Sequence, residues 1–143
     1  MGGYIETFRA VVYPWHCDHQ GHMTTMHYVG MFDAAFWQLL SAQGFTRAYL
    51  AERKTGFADV RDTIRYLAEL PVGSPVTIES GLTKVGNTSI TSFNRMLDSE
   101  TATLAATSEK VTVYFDLEAR RKTPLPADLK AVMESRLVTN EED

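Results

Sequence analysis

The hydrophobic pattern changes period along the chain. Residues 5–13 (IETFRAVVY) are rich in β-branched and aromatic residues and stop at Pro14, which predicts a first strand. Over 27–43 the apolar residues Tyr28, Met31, Phe32, Ala35, Phe36, Leu39 and Leu40 recur at three- and four-residue steps, the spacing of a helix. Its other side (Gly30, Asp33, Ala34, Trp37, Gln38, Ser41) is also poor in charge, and a helix apolar nearly all round is a buried one. Thr24 or Thr25 is placed to cap its start and Gly44 to stop it. Residues 45–55 read as a short helical or irregular stretch. After Gly56 the period becomes two: Val60, Ile64, Tyr66, Ala68 and Leu70, with Asp62, share one face of a long strand, and Arg61, Arg65 and Glu69 face the other way. Pro71 and Gly73 break it. Strands over 75–85 and 88–97 flank a tight turn at Gly86-Asn87, and a fifth strand, 101–115, follows Asp98-Ser99-Glu100. Thr123-Pro124-Leu125-Pro126 introduces a last amphipathic helix at about 127–137, and Asn140–Asp143 reads as a loose tail.

One buried helix followed by antiparallel strands is an α+β layout, and 143 residues make a single domain, 1–143. Five strands cannot cover such a helix on all sides. The sheet is expected to curl around it, and the uncovered side to meet another copy, as a homodimer or homotetramer. With 44% apolar and 22% charged residues the composition is that of a folded globular protein. No run of about 18 apolar residues suggests a membrane span, and no secretory signal shows at the N-terminus. Met1-Gly2 is a poor myristoylation start, because Glu6 stands where Ser or Thr belongs. The single cysteine, Cys17, cannot staple the fold, so a reducing cytoplasm is the expected setting. A net charge of −4 without a basic stripe argues against nucleic acid as a partner.

All four histidines, His16, His19, His22 and His27, lie around the loop 14–26, with Cys17 and Asp18 among them. Imidazole, thiolate and carboxylate all bind zinc, so this loop is a candidate metal site. Its spacing matches neither a cysteine-pair finger nor His-Glu-x-x-His, and no metal is expected. The other reading places the loop against the start of the buried helix. Free N–H groups and the positive dipole end there can polarise a carbonyl. A carboxylate returned to that end by Asp18 can attack or act as a base, and Gly21 permits an unusual φ. By spacing alone, Asp18 and Thr25 can equally be simple caps.

Asp18-x-x-Gly21-His22-Met23-Thr24-Thr25-x-x-Tyr28, followed by Phe32 and Ala35, resembles the 4-hydroxybenzoyl-CoA thioesterase family of hotdog-fold acyl-CoA thioesterases. The element order matches that family over about residues 5–125. Thr24 and Thr25 stand where one subgroup has two asparagines. The resemblance implies a five-stranded antiparallel sheet wrapped around a long central helix, and hydrolysis of an acyl-CoA to free acid and coenzyme A. It makes Asp18 the catalytic carboxylate and Thr25 the residue whose backbone N–H polarises the thioester carbonyl. Gly21 and His22 shape the site, with His22 orienting Asp18 or touching the thioester, and Tyr28 enters the helix beside them. The CoA thioester is the substrate, and no cofactor is implied.

The family's nucleotide lies near the third and fourth strands, often across a subunit interface. Lys84, Gly86, Asn87, Thr88 and Ser89 occupy that turn here, and their donors suit phosphate. Arg120-Arg121-Lys122 is a second basic candidate, and Asp59 or Asp62 a candidate second acid across the interface. No Gly-x-Ser-x-Gly elbow occurs, which excludes an α/β-hydrolase triad. Cys17, beside Asp18, reads as structural. Phe32, Phe36 and Trp37 suit an apolar pocket and core packing alike. The competing readings are an acyl-thioester-binding protein without turnover and a metal-binding protein using His16–His27.

Overall fold

The computed structural model describes residues 3–140. The Met1-Gly2 reading, and residues 141–143 of the loose tail, lie outside them. Strand β1 (Ile5–Val11) leads through a 3-10 turn (Pro14–His16) and a loop into helix α1 (Thr25–Ala42) and a short helix α2 (Arg47–Arg53). Strands β2 (Thr55–Tyr66), β3 (Pro75–Val85), β4 (Ser89–Asp98) and β5 (Thr103–Asp116) follow, then β6 (Arg121–Lys122) and helix α3 (Ala127–Glu134). The sheet is antiparallel in the order β1-β3-β4-β5-β2, and β6 pairs with β5.

The expected five strands are therefore joined by a sixth of two residues. Asp116 explains it. Its Oδ1 accepts the N–H groups of Glu118 and Ala119, Arg120 takes a positive φ of 58°, and the chain folds back so that Arg121 pairs with Asp116. The stretch 45–55, read as short helix or irregular chain, is helical as α2, which Thr46 caps by accepting Tyr49 N–H at 3.2 Å.

Helix α1 lies on the inner face of the sheet. Phe32, Ala35, Phe36, Leu39 and Leu40 are fully shielded from solvent. Tyr28, Met31, Phe32 and Ala35 pack with Val12, Leu70, Val76, Ile78 and Met96 at one end of the sheet. At the other end Phe36, Leu39 and Leu40 pack with Phe45, Leu82, Ile90 and Tyr114. Between these two apolar clusters a polar band crosses the sheet. Thr7 and Ser80 share a 2.7 Å hydrogen bond, Asn94 donates to Ser108 O, and Ser108 Oγ donates to Asp62 at 2.7 Å. Lys110, with only 3% of its side chain exposed, lies 3.5 Å from Asp33 on α1 and 3.6 Å from Asp59 on β2. Two carboxylates compensate the buried ammonium and tie helix to strand.

Strand β2 departs from the alternation expected of it. Its pairing with β5 shifts between Asp59 and Arg61, so a bulge intervenes at Val60. Asp59 faces Lys110 before the bulge and Asp62 faces Ser108 after it. Val60 itself, expected on the inner face, is 63% exposed. The strand ends at Tyr66, and residues 67–70 cross to bury Leu70 in the core.

Gly44 stops the helix segment with φ +106°, and a Cβ there would lie 2.8 Å from Leu129 Cδ2. Gly44→Ala should lower stability by about 1–3 kcal/mol, from backbone strain together with displacement of Leu129. Urea melts of the variant and the parent measure it.

Candidate active site

The loop that enters α1 is a short hairpin pinned at its base. Asp18 N–H donates to His22 O, and Gly21 N–H donates to Asp18 O at 3.0 Å, so residues 18–21 make a tight turn. Gly21 adopts φ +84°, the left-handed region that glycine enters at least cost. Asp18 Oδ1 accepts the Gln20 N–H at 2.8 Å, which holds the carboxylate on the outside of the turn. Met23 N–H donates to Leu70 O at 2.9 Å, Thr24 N–H donates to His16 O, and His22 bridges Pro71. The hairpin is thus fastened to the segment that follows β2.

Thr24 occupies the N-cap position of α1 by its backbone, but its side chain caps nothing, and its buried Oγ1 has no hydrogen-bond partner. His27 N–H is taken by Thr24 O. Among the described residues no acceptor takes the N–H of Thr25 or Met26. The helix start therefore keeps free donors and its positive dipole end.

Beside it lies a cleft of about 330 Å³ lined by Asp18, Gln20, His22, Met23, Thr25 and Tyr28 from the loop and helix, and by Tyr66, Leu67, Ala68 and Glu69 from the end of β2 and the segment after it. Asp18, His22, Thr25 and Tyr28, singled out in the sequence, come together here. Gly21 shapes the turn between them. Tyr66 and Glu69 were not foreseen as site residues. His22 Nε2 lies 3.1 Å from Glu69 Oε2, so the histidine's partner is this acid. The Tyr28 ring meets Tyr66 edge-on, with centroids 5.1 Å apart.

Lys84, Gly86, Asn87, Thr88 and Ser89 line no part of this cleft. Gly86 N–H donates to Ser89 O, Thr88 O accepts from Tyr114, and Asn87 O accepts from Leu125, which places the turn at the opposite end of the sheet. From Val76, beside the Asp18 end, to Val85 is nine strand steps, about 30 Å. Arg120 to Lys122 form the exposed turn and β6 beyond β5. Asp59 and Asp62 belong to the polar band. Two larger clefts, of about 800 and 730 Å³, lie beside Trp37 and beside Trp15, and Asp18 lines neither.

The histidines disperse. His16 Nδ1 accepts the Tyr13 N–H at 2.9 Å and its ring packs edge-on against His27, while His22 faces Glu69. Among the described residues no three His, Cys, Asp or Glu side chains converge as a metal site would require.

The sequence profile of the thioesterase-like superfamily matches residues 12–133. The chain belongs to that superfamily. Two curated relatives, both named L-carnitine dehydrogenase/betainyl-CoA thioesterase, are 29% identical over 114 residues (Rhizobium meliloti) and 27% identical over 117 residues (Agrobacterium fabrum). These matches cover 80% and 82% of this chain but only 23% and 24% of those relatives. Among solved structures, a Staphylococcus aureus protein in complex with CoA superposes with a TM-score of 0.88 at 17% identity, covering 98% of this chain and 90% of that one. The 1,4-dihydroxy-2-naphthoyl-CoA thioesterase of Synechocystis gives 0.78 at 19% identity, covering 92% and 96%. The curled sheet around α1 is thus the hotdog fold of the thioesterase-like superfamily.

Burial first, and then the neighbouring Tyr66, Glu69 and Cys17, raise the Tyr28 phenol above its ordinary value. The folded state therefore holds this proton to higher pH than the unfolded chain. The stability it contributes is complete below about pH 10 and is lost as pH rises through the folded value. Tyr28→Phe should flatten that part of the alkaline loss, read by denaturant melts from pH 9 upward.

Proposed function

We propose that the chain hydrolyses acyl-CoA thioesters in the Asp18 cleft. The observation that carries this reading is the uncapped start of α1, with free Thr25 and Met26 N–H groups, opening into a cleft that also holds a carboxylate. A thioester carbonyl seated there has its oxygen on the helix start and its carbon facing Asp18. Charge that builds on the oxygen during attack is met by fixed donors, which need no reorganisation as the reaction proceeds. Asp18 attacks the carbonyl carbon itself, leaving a mixed anhydride that water then cleaves to the free acid, or it takes the proton of an attacking water. His22, on the same hairpin, positions that turn against Glu69. The thiol of CoA departs, and no cofactor takes part. Superfamily membership and the betainyl-CoA thioesterase activity named for both curated relatives support this reading. A reducing cytoplasm, where CoA thioesters are made and Cys17 stays reduced, is the setting that suits it. Among the described residues no helix is long and apolar enough to cross a membrane.

The working unit in this reading is a homodimer, or a tetramer built from dimers. Strand β2 is a free edge of the sheet, and Val60 and Tyr66 leave large apolar surface open on it, as Trp37 does on α1. Such an edge is a template for pairing with a second copy. Antiparallel pairing of two β2 strands sets the Thr55 end of one beside the Tyr66 end of the other. Thr55 lies at the same end as the 86–89 turn, because β2 pairs Phe57 with Tyr114, and Tyr114 N–H donates to Thr88 O. The partner subunit's Lys84, Gly86, Asn87, Thr88 and Ser89 thereby come to the Asp18 end, where CoA phosphates need donors.

Asp18→Asn preserves size and turn-forming ability but removes the charge. Thiol release from acyl-CoA should fall by roughly 10²-fold or more in a variant that folds normally. A rate within a few-fold of the parent's contradicts the role of Asp18. Val60→Lys places a charge on the pairing edge and should shift the protein to monomer in light scattering, with loss of activity. A fully active monomer contradicts the shared site.

A further inference from the structure

The hairpin that carries Asp18 puts a second base beside it. Cys17 pairs with Met23 across the turn, and both pack against the core. Asp18 N–H donates to His22 O at 3.1 Å, so Asp18 and His22 are the next opposed pair. Side chains alternate along a strand, and opposed ones share a face with their Cβ atoms about 4.5–5.5 Å apart. The carboxylate and the imidazole therefore lie side by side and turn away from the core, into the cleft that both line. Met23 N–H donates to Leu70 O, which fastens the segment after β2 to the hairpin. With Leu70 buried, its neighbour Glu69 turns out to His22, and Oε2 accepts the proton on Nε2 at 3.1 Å. That contact fixes the tautomer and leaves a lone pair on Nδ1, which nothing among the described residues engages.

Asp18 Oδ1 is held by the Gln20 N–H, and Oδ2 has no partner among the described residues, so Oδ2 is free to attack. Attack uses up the carboxylate. Once acylated it can take no proton, and the water that cleaves the anhydride needs another base. Phenols titrate too high for this, and burial raises Tyr28 further. Imidazole is ordinarily a stronger base than a carboxylate and changes charge nearest neutral pH. We propose that His22 is the base of this second step and that Glu69 is the residue that positions it. Asp18 Oδ2 bonds to the acyl carbon and the C–S bond breaks, releasing CoA as its thiolate. Water then bonds to the acyl carbon while His22 Nδ1 takes its proton. The acyl bond to Asp18 breaks, the acid leaves and the carboxylate is restored. His22 returns the proton to solvent, from which the thiolate gains one. The start of α1 faces the acyl oxygen in both steps. The inference rests on the hydrolytic reading above and assigns Asp18 the nucleophile's role within it.

Rapid-mixing assays of thiol release test it. The parent is screened with acetyl-, octanoyl- and benzoyl-CoA, and the fastest of these is used throughout. His22→Gln should release about one thiol per site in a burst and then turn over roughly 10²-fold more slowly than the parent. Glu69→Gln should show the same burst with a steady rate about tenfold below the parent's. Hydroxylamine attacks an anhydride without needing a base, so it should restore turnover in His22→Gln and yield the acyl hydroxamate. Asp18→Asn, measured alongside, should give neither burst nor rescue. Turnover of His22→Gln within a few-fold of the parent's, or loss of its burst together with its steady rate, overturns the inference. Where His22→Gln does not fold, Glu69→Gln decides, a burst supporting the inference and its absence overturning it. In each of these cases an inactive Asp18→Asn leaves the hydrolytic reading standing. No release by the parent from any of the three thioesters overturns both.

Discussion

Burial of one face of α1 against the curled sheet is the interaction on which the site depends. Phe32, Ala35, Phe36, Leu39 and Leu40 are removed from water almost completely, and truncating a buried phenylalanine to alanine typically costs 3–5 kcal/mol. This packing fixes the axis of the helix, and so the place where its free N–H groups emerge. The polar band beneath the helix adds direction to an otherwise non-directional contact. Lys110 reaches both Asp33 on α1 and Asp59 on β2, so rotation or sliding of the helix would cost the buried ammonium one of its two carboxylates. The Asp18 hairpin is in turn fastened to Leu70 and Pro71, so helix start, carboxylate and the end of β2 hold one geometry.

That geometry suits thioester cleavage because the reaction asks little of the protein. The carbonyl is already electrophilic, so the proposed reading needs only a preorganised pair of donors for the oxyanion and one carboxylate for attack or base catalysis. The cleft opens next to the unpaired β2 edge. In the proposed dimer a second copy placed there would bring in groups that the single chain keeps at the far end of its sheet.

Much of this was legible in the sequence. The helical spacing from Tyr28 to Leu40 and the strands around Gly86-Asn87 found their places, because each rests on local periodicity or turn chemistry, and the residues of the Asp18–Tyr28 motif meet in one cleft. The polar band was not legible: Ser80, Asn94, Ser108 and Lys110 are ordinary strand residues until the register sets them side by side. Strand β2 misled for a physical reason. A single bulge at Val60 reverses the alternation, turning Val60 outward, and nothing local to those residues announces it. Alternation puts Glu69 on the far side of a continuing strand, whereas β2 ends at Tyr66 and Glu69 reaches His22. The donors of the Lys84–Ser89 turn are visible in the sequence. The turn's distance from Asp18 depends on strand length and direction, which only the fold shows.

The most direct test of the account is a crystal structure of the protein with a thioester analogue in which a methylene replaces the sulfur, so that the carbonyl is kept and cannot be cleaved. The account predicts its carbonyl oxygen at about 2.7–3.1 Å from the Thr25 or Met26 N–H. The Asp18 carboxylate should face the carbonyl carbon directly or through one water. A carbonyl seated in the cleft beside Trp37 or Trp15, away from the start of α1, would contradict it.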